Sequence, residues 1–354
     1  MIRLASPFGA ASRTGRPEAI GAELTASPVV RKLSFTGSTR VGAHLAAQCA
    51  PTLKRLSLEL GGKNPLIVRA DADLAKAAAG CITAAFANTG QMCIHIERVL
   101  VHRSVYESFK ALLVEGVRAL RLGQTFDYSV DVGSLASPSQ LETVQEHVET
   151  AVAQGATVLA GGRHRPDLGP LVYEPTVLEG VTSQMPVCLD ETFGPVISLY
   201  PVGSDAEAIE KANEGTYGLS ASIWSRDVAG AQEMAQRIRS GSVNINDGAA
   251  ATVLMTAVPA RVAGVKEIIL ATPRRGKEPL NPAVLVAAEI AGVDAIYQVG
   301  GVPAIGAMAY GTDSIAKVDK ICGPGNLFVG LAKNLVQGQV GIDGVFGPTE
   351  TIVV

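Results

Sequence analysis

From Val29 onward, short apolar runs alternate with longer stretches in which apolar positions recur every three or four residues. VVRKLSFTGST reads as a strand closing on a Gly-Ser turn, and TRVGAHLAAQC as a helix. RLSLELGG and NPLIVRA read as strands, DLAKAAAGCITAAFANTG as a helix, ERVLVH as a strand and SVYESFKALLVEGVRALRL as an amphipathic helix. The helix LETVQEHVETAVAQG and the strand TVLAGG follow, and VISLYPV, DAEAIEKANEG, SASIWS, VAGAQEMAQRIRSG and SVNIND carry the alternation on. Strands and helices in turn predict a parallel sheet with covering helices. Residues 1–28 mix Pro, Gly and Ser and lack such a period.

The texture changes at GAAAT, residues 248–252. Beyond it the pattern predicts apolar helices at Val284 to Ala291 and Ala304 to Tyr310, strands at EIILATP and AIYQVGG, and an exposed loop at RRGKEPLNP. All five histidines (His44, His95, His102, His147, His164) precede this point.

A length of 354 residues allows about two domains. Hydrophobic residues at 47% and charged residues at 18% exclude intrinsic disorder. Thirty basic against 33 acidic residues give a net charge of -3, so no basic field exists to hold nucleic acid or an anionic membrane. Every apolar stretch is interrupted before the 18 or so residues a membrane span needs, so no membrane association is expected. Five cysteines without a CxxC pair fit a reduced, cytoplasmic setting.

Several residues could carry chemistry. FTGST places Gly37 and Ser38 where a strand opens into a helix, which is either a seat for a pyrophosphate or an ordinary helix cap. Glu59, in LSLELGGKNP, is either a buried carboxyl poised as a general base or a strand-end acid facing solvent. Cys93, in NTGQMCIHIERV, has glycine and amide neighbours that could present a thiolate to a carbonyl carbon, whereas Cys49, Cys81, Cys188 and Cys322 read as buried small hydrophobes. His95 lies two residues on, where an extended segment shares a face without bringing the two side chains into a hydrogen bond.

LELGGKNP, NTGQMC with its cysteine thirty-four residues after Glu59, ETFGPV, and NEGTYGLSASIWSRD followed by SGSVNIND together resemble the NAD(P)-dependent aldehyde dehydrogenase family, with wording similar to its succinate-semialdehyde dehydrogenases. The resemblance covers residues 13–248, roughly the middle half of a family member. It implies that Cys93 attacks an aldehyde, that hydride passes from the thiohemiacetal to nicotinamide, and that Glu59 activates water against the thioester. By the same matching, Gly37, Ser38 and Gly61 belong to the cofactor site, Glu191 meets the nicotinamide ribose and Phe193 lies beside the nicotinamide. Family segments that supply an oxyanion donor and contact the adenosine ribose fall outside the resemblance, so impaired turnover is expected.

The stretch after residue 250, with its glycine-rich turns VGG at Val299 to Gly301 and GPGN at Gly323 to Asn326, resembles histidinol dehydrogenase. That resemblance makes Asn326 an NAD contact. It also puts Pro303 where the family has a glutamine, and, with no histidine after residue 250, implies no zinc site. Read on residues alone, both turns are equally consistent with ordinary turns.

The resulting expectation is an α/β fold of three-layer, aldehyde-dehydrogenase-like parallel sheets with covering helices, plus a smaller, incomplete Rossmann-like α/β unit. The division expected is a partial NAD(P)-binding region over 1–89, a catalytic domain over 90–248 and a histidinol-dehydrogenase-like NAD-binding fragment over 251–354. The function expected is NAD- or NADP-dependent oxidation of a small aldehyde by a possible homo-oligomer. The alternatives are an inactive chimera or pseudoenzyme, and a histidinol-dehydrogenase-related NAD-binding protein without zinc.

Overall fold

The computed structural model describes residues 17–125, 129–247, 252–273, 279–280, 282–323, 327–342 and 351–353. In chain order the elements are α1 (Pro17–Ala26), β1 (Lys32–Thr36), α2 (Thr39–Cys49), β2 (Arg55–Glu59), β3 (Asn64–Val68), α3 (Leu74–Phe86), β4 (Ile96–His102), α4 (Tyr106–Arg118), α5 (Pro138–Ala153), β5 (Thr157–Ala160), β6 (Thr176–Glu179), α6 (Pro186–Leu189), β7 (Val196–Val202), α7 (Asp205–Ala212), β8 (Ser220–Trp224), α8 (Val228–Ala235) and β9 (Ser242–Ile245). There follow α9 (Thr252–Val262), β10 (Ile269–Ala271), α10 (Pro282–Ile290), β11 (Ala295–Tyr297), α11 (Gly301–Tyr310), β12 (Lys320–Ile321), α12 (Leu327–Val336), β13 (Gly341–Ile342) and β14 (Thr351–Val353). They fall into two compact units, one drawn from residues 1–249 and 350–354, the other from 250–349.

The first unit is built on a seven-stranded sheet in the order β5-β6-β7-β4-β3-β8-β9. All its neighbours are parallel except β5 against β6. Both faces are covered, which explains the unbroken apolar runs of the central strands. Leu66, Val68, Val99 and Val101 pack with α3 and α4 residues such as Phe86, Phe109 and Leu113. Their alternates Ile67 and Leu100 pack with Ile209 of α7 and Met234 of α8. Layers of helix, sheet and helix result, as the β/α rhythm predicted. A second sheet, β14-β1-β2, pairs β1 with β2 in parallel and carries β14 antiparallel on β1.

α2 spans the residues read as a helix, and Ser38 caps it. α1 carries no long apolar period, yet it begins with Pro17 and Glu18 in its first turn, both favourable at a helix start. β6, only four residues long, is too short for a pattern to stand out, although it is buried between β5 and β7. β3 precedes the division at residue 89 but hydrogen-bonds between β4 and β8, because the Gly61–Gly62 turn leads the chain directly from one sheet into the other. Of the cysteines read as buried, Cys49 and Cys81 are so, Cys188 is half-buried and Cys322 is exposed.

In the second unit two short parallel pairs, β10-β11 and β12-β13, accompany α9 to α12. Its core joins Ala304, Ile305, Met308 and Ala309 of α11 to Ala332 and Val336 of α12 and to Ile321. α9 and α12 were not read from the sequence; Pro259 inside α9 breaks the usual helical signal. Among the described residues no helix is long and apolar enough to cross a membrane.

Candidate functional site

The carboxyl end of β2 faces a cluster of loops that lead into the amino ends of β3, β4 and β7. Glu59 is the last residue of β2, Gly61 and Gly62 lead into β3, Cys93 lies just before β4, and Glu191 and Phe193 lie just before β7. Parallel strands starting from neighbouring points thus bring together side chains that are far apart in sequence.

The two glycines are required by close approach. The Gly62 N–H donates to Glu191 Oε1 at 2.9 Å. A Cβ on Gly61 would collide with the Glu191 carboxylate, and one on Gly62 would stand 2.5 Å from the Cys93 carbonyl oxygen. That carbonyl accepts from Asn64 Nδ2 at 2.8 Å, as does the His95 carbonyl, while Asn64 Oδ1 accepts from the Ser220 N–H at 2.9 Å. Asn64 therefore ties the Cys93 segment to the start of β3 and to β8.

The NTGQ turn before Cys93 holds three successive residues at positive φ, Asn88 (52°), Thr89 (59°) and Gly90 (69°). A Cβ on Gly90 would strike the Gly194 carbonyl, so the Cys93 and Glu191 loops touch backbone to backbone. Gln91 fastens the turn sideways: its Nε2 donates to the Ser134 carbonyl at 3.3 Å, and its Oε1 accepts from the Ala136 N–H at 2.7 Å. Such strain in a non-glycine backbone persists only where surrounding contacts fix it.

Cys93 is half-buried, and burial, followed by the Glu191 and Glu59 carboxylates, pushes its thiol above the ordinary value. The protein alone thus favours the thiol over the thiolate. Burial also raises the Glu191 carboxyl, against the Gly62 hydrogen bond. Glu59 is exposed, which decides between the two readings in favour of the strand-end acid facing solvent: β2 turns its last residue outward. It nevertheless remains near enough to act electrostatically on Cys93.

Gly37 donates its N–H to the Glu59 carbonyl at 3.1 Å, which sets the start of α2 beside the end of β2. Ser38 is exposed, and its hydroxyl accepts from the Val41 N–H as a helix cap. Phe193 is half-buried with φ 49°, and its ring meets the edge of the His95 ring at 6.3 Å. His95 is fully buried, with Nδ1 2.7 Å from the Met92 carbonyl. Asn326 lies outside the described residues. Among the described residues no group of three or more His, Cys, Asp or Glu could hold a metal.

Sequence reading missed a buried charged cluster beneath these loops. Lys63 forms an ion pair with Glu97, and the two are 4% and 1% exposed. Glu97 Oε1 accepts from the Thr192 N–H at 2.9 Å and the Phe193 N–H at 3.1 Å. Lys63 Nζ reaches Thr192 Oγ1 at 3.3 Å, and His147 Nδ1 stands 3.1 Å from the same hydroxyl. Burial would raise the Glu97 carboxyl, but Lys63 and His95 outweigh it and hold the group well below its ordinary range. The available signal was charge at the start of two otherwise largely apolar strand runs, Lys63 in KNPLIV and Glu97 with Arg98 in IERVLV.

Residues 10–267 match the aldehyde dehydrogenase family, and residues 209–354 match histidinol dehydrogenase. A Mycolicibacterium smegmatis protein provisionally named an NADP(+) succinate-semialdehyde dehydrogenase is 51% identical over 227 residues, which are 64% of this chain and 44% of that protein. Succinate-semialdehyde dehydrogenase NADP(+) 1 of Schizosaccharomyces pombe is 41% identical over 67% of this chain and 48% of its own length. The crystal structure of succinate-semialdehyde dehydrogenase from Burkholderia pseudomallei superposes with a TM-score of 0.64 at 43% identity, covering 67% of this chain and 49% of that one. The chain thus spans about half the length of the relatives it matches. With the family match extending over most of the chain and the Cys93, Gly61–Gly62 and Glu191 loops meeting in one place, the chain belongs to the aldehyde dehydrogenase family.

Proposed function

We propose that this protein oxidises a small aldehyde of the succinic-semialdehyde type to its carboxylate with NAD or NADP, through a thioester on Cys93. The observation that carries the reading is the convergence of Cys93, Gly61–Gly62 and Glu191, in which a missing side chain at Gly61 leaves the Glu191 carboxylate against the backbone. Its relatives named for succinate semialdehyde supply the substrate class.

The residues present fit a nicotinamide dinucleotide. The amino end of α2, which Ser38 caps and which the bond from the Gly37 N–H to the Glu59 carbonyl positions, offers first-turn backbone N–H groups to a pyrophosphate. Glu191 would accept from the nicotinamide ribose, Gly61 would admit it without a Cβ, and Phe193 would border the ring. When bound, the cofactor would supply the acceptor for the hydride.

Cys93 Sγ attacks the carbonyl carbon, forming the S–C bond as the C=O π pair moves onto oxygen, and the thiol proton passes through water to that oxygen to give the thiohemiacetal. Once the carbon has given its hydride to that acceptor and the hydroxyl its proton to water, Cys93 Sγ carries the acyl group as a thioester. Glu59, exposed at the end of β2, accepts a proton from the attacking water, and the C–S bond breaks to release the acid and restore the thiol. General-base assistance of this kind contributes about 10²–10⁴-fold.

The domains proposed are 1–89 for cofactor binding, 90–248 for catalysis and 251–354 as the histidinol-dehydrogenase-like fragment. For that last part a second reading as an NAD-binding region through Asn326 is favoured by the match over residues 209–354. Cysteine usage favours a reducing, cytoplasmic location, and self-association is proposed.

The test is intact-mass analysis of the chain incubated with NADP and succinic semialdehyde, then quenched in acid. The reading predicts an acyl adduct on Cys93 that needs the cofactor and is absent in Cys93→Ser. An adduct independent of cofactor, or none, refutes it.

A further inference from the structure

The Glu191–Phe193 loop has no secondary structure of its own, yet the proposed cofactor contacts require its carboxylate to be held beside Gly61. Its middle residue is pinned on every polar atom. The Thr192 N–H donates to both Glu97 oxygens at 2.9 and 3.0 Å, and its carbonyl accepts from Gln140 Nε2 at 2.7 Å. Its hydroxyl meets Lys63 and His147. The next N–H, that of Phe193, also ends on Glu97, and Phe193 is the residue held at positive φ.

We infer that Glu97 is a positioning residue for the cofactor: its buried carboxylate, held by Lys63, clamps the Thr192 and Phe193 N–H groups and so fixes Glu191 against Gly62. Glu97 acts through the loop, by the bonds it accepts from the Thr192 and Phe193 N–H groups. Lys63 ties the same carboxylate to the residue after Gly62, so both sides of the Gly62–Glu191 hydrogen bond share one anchor. An ordinary hydrophobic residue on β4 would pack this space but could accept neither N–H. A charged acceptor makes each of these bonds stronger than a neutral one and justifies burying it. The inference rests on the dinucleotide reading of the site.

Hydrogen exchange followed by mass spectrometry on peptides covering residues 190–195 reads the clamp, and calorimetric titration with NADP reads its consequence. In Glu97→Gln the Thr192 and Phe193 amides are expected to exchange about tenfold or more faster, and NADP to bind about tenfold more weakly, since bonds to a charged acceptor contribute more than a tenfold factor. Glu97→Leu with Lys63→Met removes the clamp without leaving a lone buried charge, and gives the same local effect should Glu97→Gln fail to fold. Unchanged exchange at 190–195, or acceleration spread evenly over the first unit, overturns the clamp. A parent chain that binds NADP as tightly as the variants overturns the clamp alone. A parent that binds no NADP overturns the dinucleotide reading, and with it the clamp's role toward a cofactor.

Discussion

Gly62→Ala places a methyl group 2.5 Å from the Cys93 carbonyl oxygen and 2.6 Å from Asn64 Oδ1, roughly 1 Å inside ordinary contact. Neither neighbour yields freely, because the carbonyl is main chain and is bonded to the same Asn64 amide. Overpacking of this kind costs about 1–3 kcal/mol, and loss of one hydrogen bond adds about 1 kcal/mol. For a unit of some 250 residues each kcal/mol lowers the midpoint by about 2–4 °C, giving a drop of roughly 4–16 °C. Trp224, the single tryptophan, lies in β8 and reports this unit in a fluorescence melt. Gly61→Ala provides the contrast. Its added methyl meets the far end of the Glu191 side chain, which can swing away, so the loss is mainly the Gly62 hydrogen bond. That change is worth about 1 kcal/mol and so about 2–4 °C. A Gly62→Ala protein that melts with the parent, or a Gly61→Ala protein that melts below Gly62→Ala, would refute the close-approach argument.

Other outcomes follow from the same geometry. Because burial, and after it the Glu191 and Glu59 carboxylates, raise the Cys93 thiol, alkylation by iodoacetamide should increase with pH up to and beyond 9.0, and at fixed pH Glu191→Gln and Glu59→Gln should each alkylate faster than the parent; slower alkylation contradicts the electrostatics. Lys63→Met leaves Glu97 charged, buried and without its ion-pair partner, so chemical denaturation should show a loss of about 3–5 kcal/mol, and a loss below about 1 kcal/mol would mean that the pair is not buried as described. Glu97 is held below its ordinary value of 4.5, so it contributes stability above that pH and loses it as pH falls toward the folded value. The acid limb of a Trp224 stability profile should therefore be shallower in the Glu97→Leu, Lys63→Met double variant than in the parent.

Local signals in the sequence were legible where one strand or helix carried its own evidence. The apolar runs of β3 and β4 declared strands buried on both faces, and the helical run TRVGAHLAAQC coincides with α2 behind its Ser38 cap. Gly61 entered the sequence reading only through the family resemblance, and only the fold shows that Gly61 and Gly62 are places of close approach, to the Glu191 carboxylate and the Cys93 carbonyl. Pairings across the chain were not legible. Lys63 and Glu97 are 34 residues apart, and Lys63 and Thr192 are 129 apart, so no local period links them. The outward turn of Glu59 was one of two readings left open, because a strand-end acid has the same alternation whether it faces a core or solvent. Beyond residue 250, Pro259 inside α9 obscured the helix.

Production of reduced cofactor by the purified full chain, supplied with NADP and succinic semialdehyde and compared with Cys93→Ser, tests the central claim most directly. The account predicts steady reduction by the parent that requires both cofactor and aldehyde and disappears in Cys93→Ser. No reduction by a parent that binds NADP, or equal reduction by Cys93→Ser, would contradict it.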